Sequence, residues 1–142
     1  MKELIIEATI ECLDEVVEFV DRELAQNNFP PELLNNVHLA VEEVFTNIAY
    51  HAYQPATGTA VLSIAVGEEV VVRFEDTGKP YNPLDHPEPD LDVPLADREV
   101  GGLGIFLVKK IMDKVEYRRI DNKNVLEMTK KCRSASVAAA QE

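Results

Sequence analysis

Four short stretches of the chain hold residues whose types and spacing can do chemistry. The first is Glu42-Glu43-Val44-Phe45-Thr46-Asn47-Ile48-Ala49-Tyr50-His51. On an ideal helix each residue turns by about 100°. His51 then falls roughly 60° from the centre of the surrounding apolar stripe, Asn47 about 100° and Glu43 about 140°, all on one flank, with Glu42 about 120° off on the other. A carboxylate and an amide oxygen four residues apart can share one metal ion or one water. The same triplet also suits a plain polar flank that closes on a histidine at a helix C-terminus.

The second stretch runs from Val70 to Pro80, where a β-favouring run ends on Asp76 and Gly78 permits a sharp exit. An aspartate at a strand end can accept a hydrogen bond from a ligand's amino group, although Asp-Thr-Gly-Lys-Pro is also good turn chemistry. The third is Gly101-Gly102-Leu103-Gly104, running into an apolar segment. Backbone N–H groups left open at a helix N-terminus make an anion site suited to phosphate, and a simple helix start reads equally well. No Gly-Lys-Ser/Thr follows, and the dinucleotide fingerprint is incomplete. The fourth, Asn124 to Lys130, reads as a core strand with Leu126 and Met128 pointing inward.

The elements that must position these residues follow from periodicity. Leu4 to Thr9 favours a strand. Ile10, Leu13, Val17, Val20 and Leu24 recur by threes and fours, which predicts an amphipathic helix with Thr9 as N-cap and its end at Gln26-Asn27-Asn28. Pro31 opens a second helix whose stripe is Leu34, Val37, Val41, Val44, Phe45 and Ile48, running to His51 or Ala52. Thr59–Val66 and Val70–Phe74 read as a hairpin around Gly67-Glu68-Glu69. Prolines at 80, 83, 87, 89 and 94 break the region 77–100, and a loop of that length is usually functional or disordered. A helix over Ile105–Met112 follows, then strands at 115–120 and 125–130 about a turn at Asp121-Asn122-Lys123-Asn124. The pattern predicts an α+β two-layer sandwich: a mixed, mostly antiparallel sheet with three helices on one face. One domain is expected over 1–133, with a frayed tail at 134–142.

The chain has 142 residues, with 26 Asp+Glu against 14 Lys+Arg and a formal net charge of -12. That balance argues against nucleic-acid or anionic-membrane binding, while phosphate can still be held by backbone N–H groups and a metal ion. Cys12 and Cys132 lie far apart with no metal-ligand spacing, and read as free thiols of a reducing compartment. No apolar run reaches the roughly 20 residues of a membrane helix, and the start shows no signal-peptide core. A cytoplasmic protein is expected.

In order, these stretches resemble the N, G1, G2 and G3 boxes of the GHKL ATP-binding fold, and within it the anti-sigma-factor serine kinases of bacterial stress and sporulation pathways. The resemblance is carried by Ala40-Val41-Glu42-Glu43 leading to Thr46-Asn47 and His51-Ala52-Tyr53, by Asp76-Thr77-Gly78-Lys79-Pro80-Tyr81-Asn82-Pro83, by Gly101 to Val108, and by the closing Asn124–Lys130 strand. It implies ATP and Mg²⁺ as ligands, with Asn47 on the metal and Glu43 as acceptor of the attacking hydroxyl's proton. It implies that Asp76 binds the adenine amino group and that Gly78 lets adenine lie near the backbone. Gly101, Gly102, Leu103 and Gly104 would cradle the phosphates, residues 81–100 would form the ATP lid, and Arg98 would reach the γ-phosphate. His51 has a counterpart in the family and is assigned no chemistry.

The resemblance thus implies an ATP- and Mg-dependent serine kinase that phosphorylates a STAS-type anti-anti-sigma protein, sequesters a sigma factor and forms a homodimer. Two alternatives stand beside it. One is a non-catalytic nucleotide-binding module that captures a protein partner; the other is a detached ATP-binding piece of a histidine kinase.

Overall fold

The computed structural model describes residues 1–53, 56–85 and 102–132. Its elements are β1 (Lys2–Glu7), α1 (Leu13–Gln26), α2 (Pro31–His51), β2 (Thr59–Val66), β3 (Glu69–Asp76), α3 (Gly102–Ile111), β4 (Lys114–Ile120) and β5 (Lys123–Lys131), with 3₁₀ turns at Ile10–Cys12 and Pro83–Asp85. The strands form one sheet in the order β1-β2-β3-β5-β4.

The sheet is more regular than the mixed one expected, since all four pairings are antiparallel. The chain path explains this. A single crossover helix would return the chain parallel to β1, whereas α1 and α2 pack together as a pair before β2 begins. β3 and β4 run the same way, but β5 lies between them.

Alternation along the strands places the core. Leu62 on β2, Phe74 on β3 and Leu126 on β5 sit opposite one another and join one apolar cluster with Val16, Val20 and Leu24 of α1 and Val37, Val41 and Val44 of α2. Burying a side chain of this size contributes about 1.5–3 kcal/mol. The opposite face of the sheet is a charged lattice, where Arg73 Nε meets Glu127 at 3.2 Å and Lys114 meets Glu116 at 3.0 Å.

Several ends differ from the periodicity-based boundaries. The first helix opens with a 3₁₀ turn, and the Thr9 hydroxyl reaches Cys12 Sγ at 3.4 Å rather than capping a backbone N–H. Its end is as expected, and Asn28 supplies the mechanism. With φ at 55°, Asn28 takes the left-handed conformation. The Phe29 N–H then bonds the Leu24 carbonyl at 3.1 Å and the Asn28 N–H that of Ala25 at 3.3 Å, which closes the helix in a Schellman motif. The last turn is tighter than expected. Asp121 and Asn122 both have positive φ, 52° and 62°, so two residues suffice for the reversal and Asn124 belongs to β5 rather than to the turn. α3 starts at Gly102, so part of the glycine stretch is itself the first helical turn. Both cysteines are free. Among the described residues no helix is long and apolar enough to cross a membrane.

Candidate functional site

Asp76 is brought to the site by the pattern that builds the core. On β3 the residues facing the helices are Val70, Val72, Phe74 and Asp76, so the alternation that buries two valines and a phenylalanine also buries a carboxylate, 6% exposed. Its cross-strand partner on β5 is Asn124. Asn124 Nδ2 donates to Asp76 Oδ1 at 2.9 Å, and the Gly78 N–H donates to the same oxygen at 3.0 Å. Burial raises the Asp76 carboxyl above its ordinary pKa, outweighing the Asn124 and Gly78 hydrogen bonds and the Arg119 charge, which pull the other way.

Asn124 uses its full hydrogen-bonding capacity. Its amide also donates to the Lys79 carbonyl at 2.8 Å, and its oxygen accepts from the Tyr81 N–H at 3.2 Å and the Tyr117 hydroxyl at 2.5 Å. One buried amide therefore ties the end of β3, the segment after it and β4 into a single frame. Gly78 fits that frame because a side chain there would stand 2.6 Å from the carbonyl carbon of Ala52, at the end of α2. The Lys79 N–H donates to the same Ala52 carbonyl at 3.0 Å, and Arg119 Nη1 holds the Gly78 carbonyl at 2.9 Å.

Above this frame runs the polar flank of α2. Asn47, His51, Asp76, Tyr81, Ile105 and Asn124 line a pocket partly open to solvent, with Phe74 and Leu126 contributing apolar wall. An apolar cleft with a few fixed polar groups is the usual form of a small-molecule site. The His51 and Tyr81 rings stack at its side, centroids 4.5 Å apart and planes 17° from parallel. Asn47 is 8% exposed, and its Oδ1 is buried with no hydrogen-bond partner. Such an orphaned acceptor is costly, and it is the donor atom a hard cation takes. Among the described residues no group of three or more His, Cys, Asp or Glu could hold a metal. A cation beside Asn47 would draw its other ligands from phosphate and water, as Mg²⁺ commonly does.

One helical turn before Asn47, the Glu43 carboxylate packs against Gly104, the third residue of α3. Burial, and after it the neighbouring Glu42 charge, raise its carboxyl above the ordinary 4.5. Glu42 points the other way: it bonds His38 Nε2 at 2.5 Å, while His38 Nδ1 lies 3.5 Å from Asp21 of α1. The two adjacent glutamates thus serve different flanks.

Of the residues singled out in the sequence, Asn47 and Asp76 line one pocket. Gly78 abuts Ala52, which lines it too, while Glu43 meets Gly104 one helical turn before Asn47. Gly102 and Leu103 lie in the first turn of α3. Arg98, Gly101, most of the expected lid and the 134–142 tail lie outside the described residues. Asn124, Tyr117 and Tyr81 were not singled out as site residues. The available signal was register: a buried strand residue directly opposite a strand-end aspartate must be its partner.

Residues 6–130 match the family model described as the histidine kinase-like ATPase domain. Over 107 residues, covering 68% of this chain and 62% of the relative, the sequence is 36% identical to the serine-protein kinase RsbW of Halalkalibacterium halodurans. Over 93 residues, covering 64% of this chain and 66% of the relative, it is 32% identical to the serine/threonine-protein kinase BtrW of Bordetella bronchiseptica. The chain thus spans just under two thirds of the length of each. Among solved structures, the RsbU and RsbW domains of a Mycobacterium tuberculosis protein share the fold with a TM-score of 0.62, over 92% of this chain and 32% of that one at 13% identity.

Proposed function

The chain belongs to the histidine kinase-like ATPase domain family, and from that premise we propose that it is an ATP- and Mg²⁺-dependent protein serine kinase acting on a STAS-type anti-anti-sigma protein. Its second activity in this reading is capture of a sigma factor. The names of the two curated relatives support the kinase reading. The observation that carries it furthest is the orphaned Asn47 oxygen, buried one helical turn from a carboxylate of raised pKa.

The residues divide the work by position. Asp76 already accepts two hydrogen bonds on Oδ1, so Oδ2 is the oxygen that takes the amino group of adenine, with apolar wall against the purine faces. The N-terminal turn of α3 offers backbone N–H groups and the positive end of its dipole to the triphosphate. Asn47 is the residue that would hold Mg²⁺, which when bound screens phosphate charge and fixes the triphosphate's shape. Glu43 accepts the proton of the attacking serine. The serine oxygen bonds to the γ-phosphorus as the bond to the β–γ bridging oxygen breaks, and ADP leaves. A raised pKa makes Glu43 the stronger proton acceptor.

Incubation with γ-labelled ATP, Mg²⁺ and candidate STAS proteins tests the reading. Acid-stable phosphoserine on one of them is the expected result. Acid-labile phosphohistidine would point instead to a detached histidine-kinase piece. Nucleotide binding with no phosphorylated partner would favour the non-catalytic module.

A further inference from the structure

Gly104 is the third residue of α3, and its φ lies outside the left-handed region. The backbone there does not call for glycine, and glycine inside a helix costs about 1 kcal/mol against alanine. What glycine supplies is space. A side-chain carbon at Gly104 would overlap Glu43 Oε2, lie 3.0 Å from Glu43 Cδ and 3.6 Å from Cγ, and these are the three nearest atoms to it. Among the described residues, the helix's own backbone and the two chain neighbours aside, nothing else approaches as closely. Gly78, by contrast, is held by Ala52, whose carbonyl group cannot move away, and Gly67 faces open space.

We infer that Gly104 is a positioning residue for phosphoryl transfer: its missing side chain is the seat of the Glu43 carboxylate. The inference rests on the reading of Glu43 as the proton acceptor and extends it to a residue on a different helix. α2 and α3 lie side by side in opposite directions. The C-terminal end of α2 reaches the Asp76–Asn124 end of the sheet. The C-terminal end of α3 reaches the other, where Lys130 Nζ bonds the Ile111 carbonyl at 2.7 Å. Glu43 extends from mid-α2 across this boundary, and only a residue without a side chain at 104 lets it settle against the first turn of α3.

The consequence separates space from phosphate binding. In Gly104→Ala the obstructing group is the free end of a flexible side chain, so Glu43 swings aside and the fold is retained. The alanine N–H is still present for phosphate. Misplacement of a reacting group by about 1 Å costs on the order of 100-fold in rate. Gly104→Ala is therefore expected to lower kcat by about 100-fold, with KM for ATP and ADP affinity near those of the parent and a melting temperature no lower. Glu43→Asp shortens the side chain by one methylene. It should impair the parent but raise kcat in the Gly104→Ala background, a reversal of sign in the double-mutant cycle.

Loss of ATP affinity in Gly104→Ala without a fall in kcat would overturn the inference and leave Gly104 as phosphate cradle only. Failure of Glu43→Asp to raise kcat in that background would also overturn it. If Glu43→Ala transfers phosphate at the parent rate, the proton-acceptor reading fails first. A readout free of activity decides the contact itself. In the nucleotide-free protein, an NMR cross-peak between the Glu43 γ-protons and the Gly104 α-protons is expected, and its absence would overturn the seat.

Discussion

Replacing Asp76 by asparagine should make the empty protein more stable and the loaded one weaker. The native carboxyl has its pKa raised from the ordinary 3.8, with burial as the leading cause. A raised pKa means that the folded state holds the proton more tightly than the unfolded one. The associated stability is therefore fully present below pH 3.8 and is lost as pH rises through the native value. At neutral pH Asp76 is a burden on the empty fold, and an amide removes it. The amide oxygen can still accept from Gly78 and Asn124, so the frame stays intact. On the proposed reading, what disappears is the charged acceptor for the adenine amino group, replaced by an NH₂ that meets another donor. A hydrogen bond to a charged group is worth about 1.5–3 kcal/mol, or roughly a 10- to 150-fold rise in Kd. Calorimetric titration with ADP and Mg²⁺ gives the affinity, and thermal melts from pH 4 to 8 give the stability. Aspartate should show a melting temperature that declines with pH where asparagine shows a flatter profile. An Asp76→Asn variant that binds ADP as tightly as the parent would refute the anchor, and one that melts lower at pH 7 would refute the burial argument.

Three further outcomes follow from the same geometry. Asn47→Leu removes a buried acceptor without a partner, so the empty protein should gain about 1–3 kcal/mol in chemical denaturation while nucleotide affinity loses its dependence on Mg²⁺. Glu43→Ala should abolish transfer of labelled phosphate to a STAS protein and leave ADP affinity within a few-fold of the parent by titration. Asn124→Ala breaks four hydrogen bonds at once, at about 1 kcal/mol net each; a loss of about 2–4 kcal/mol is expected in urea unfolding, together with weakened ADP binding as Asp76 loses its support.

The helices and strands were legible because periodicity and burial express the same fact. The spacing of Glu43, Asn47 and His51 put them on one flank of α2, and Asn47 and His51 line the pocket from that flank. Asn124 was not legible as a site residue. Asp121 to Asn124 is a run of turn formers, and local chemistry alone cannot tell a four-residue reversal from a two-residue one. The positive φ of Asp121 and Asn122 decides it, and only then does register set Asn124 opposite Asp76. At Gly104 composition pointed to open N–H groups, and the need for room beside Glu43 was not legible, because it depends on how two helices pack. The sheet's uniform direction was hidden for a similar reason, since the placement of β5 between β3 and β4 is a long-range outcome that no local pattern records.

The unmatched oxygen of Asn47 reaches beyond catalysis. A ligand that bonds this atom in the folded chain and not in the unfolded one shifts the folding equilibrium by mass action. Proteolysis of the transiently opened form follows that equilibrium. On the proposed reading, the working lifetime of this chain in a cell should therefore track the supply of nucleotide and divalent cation.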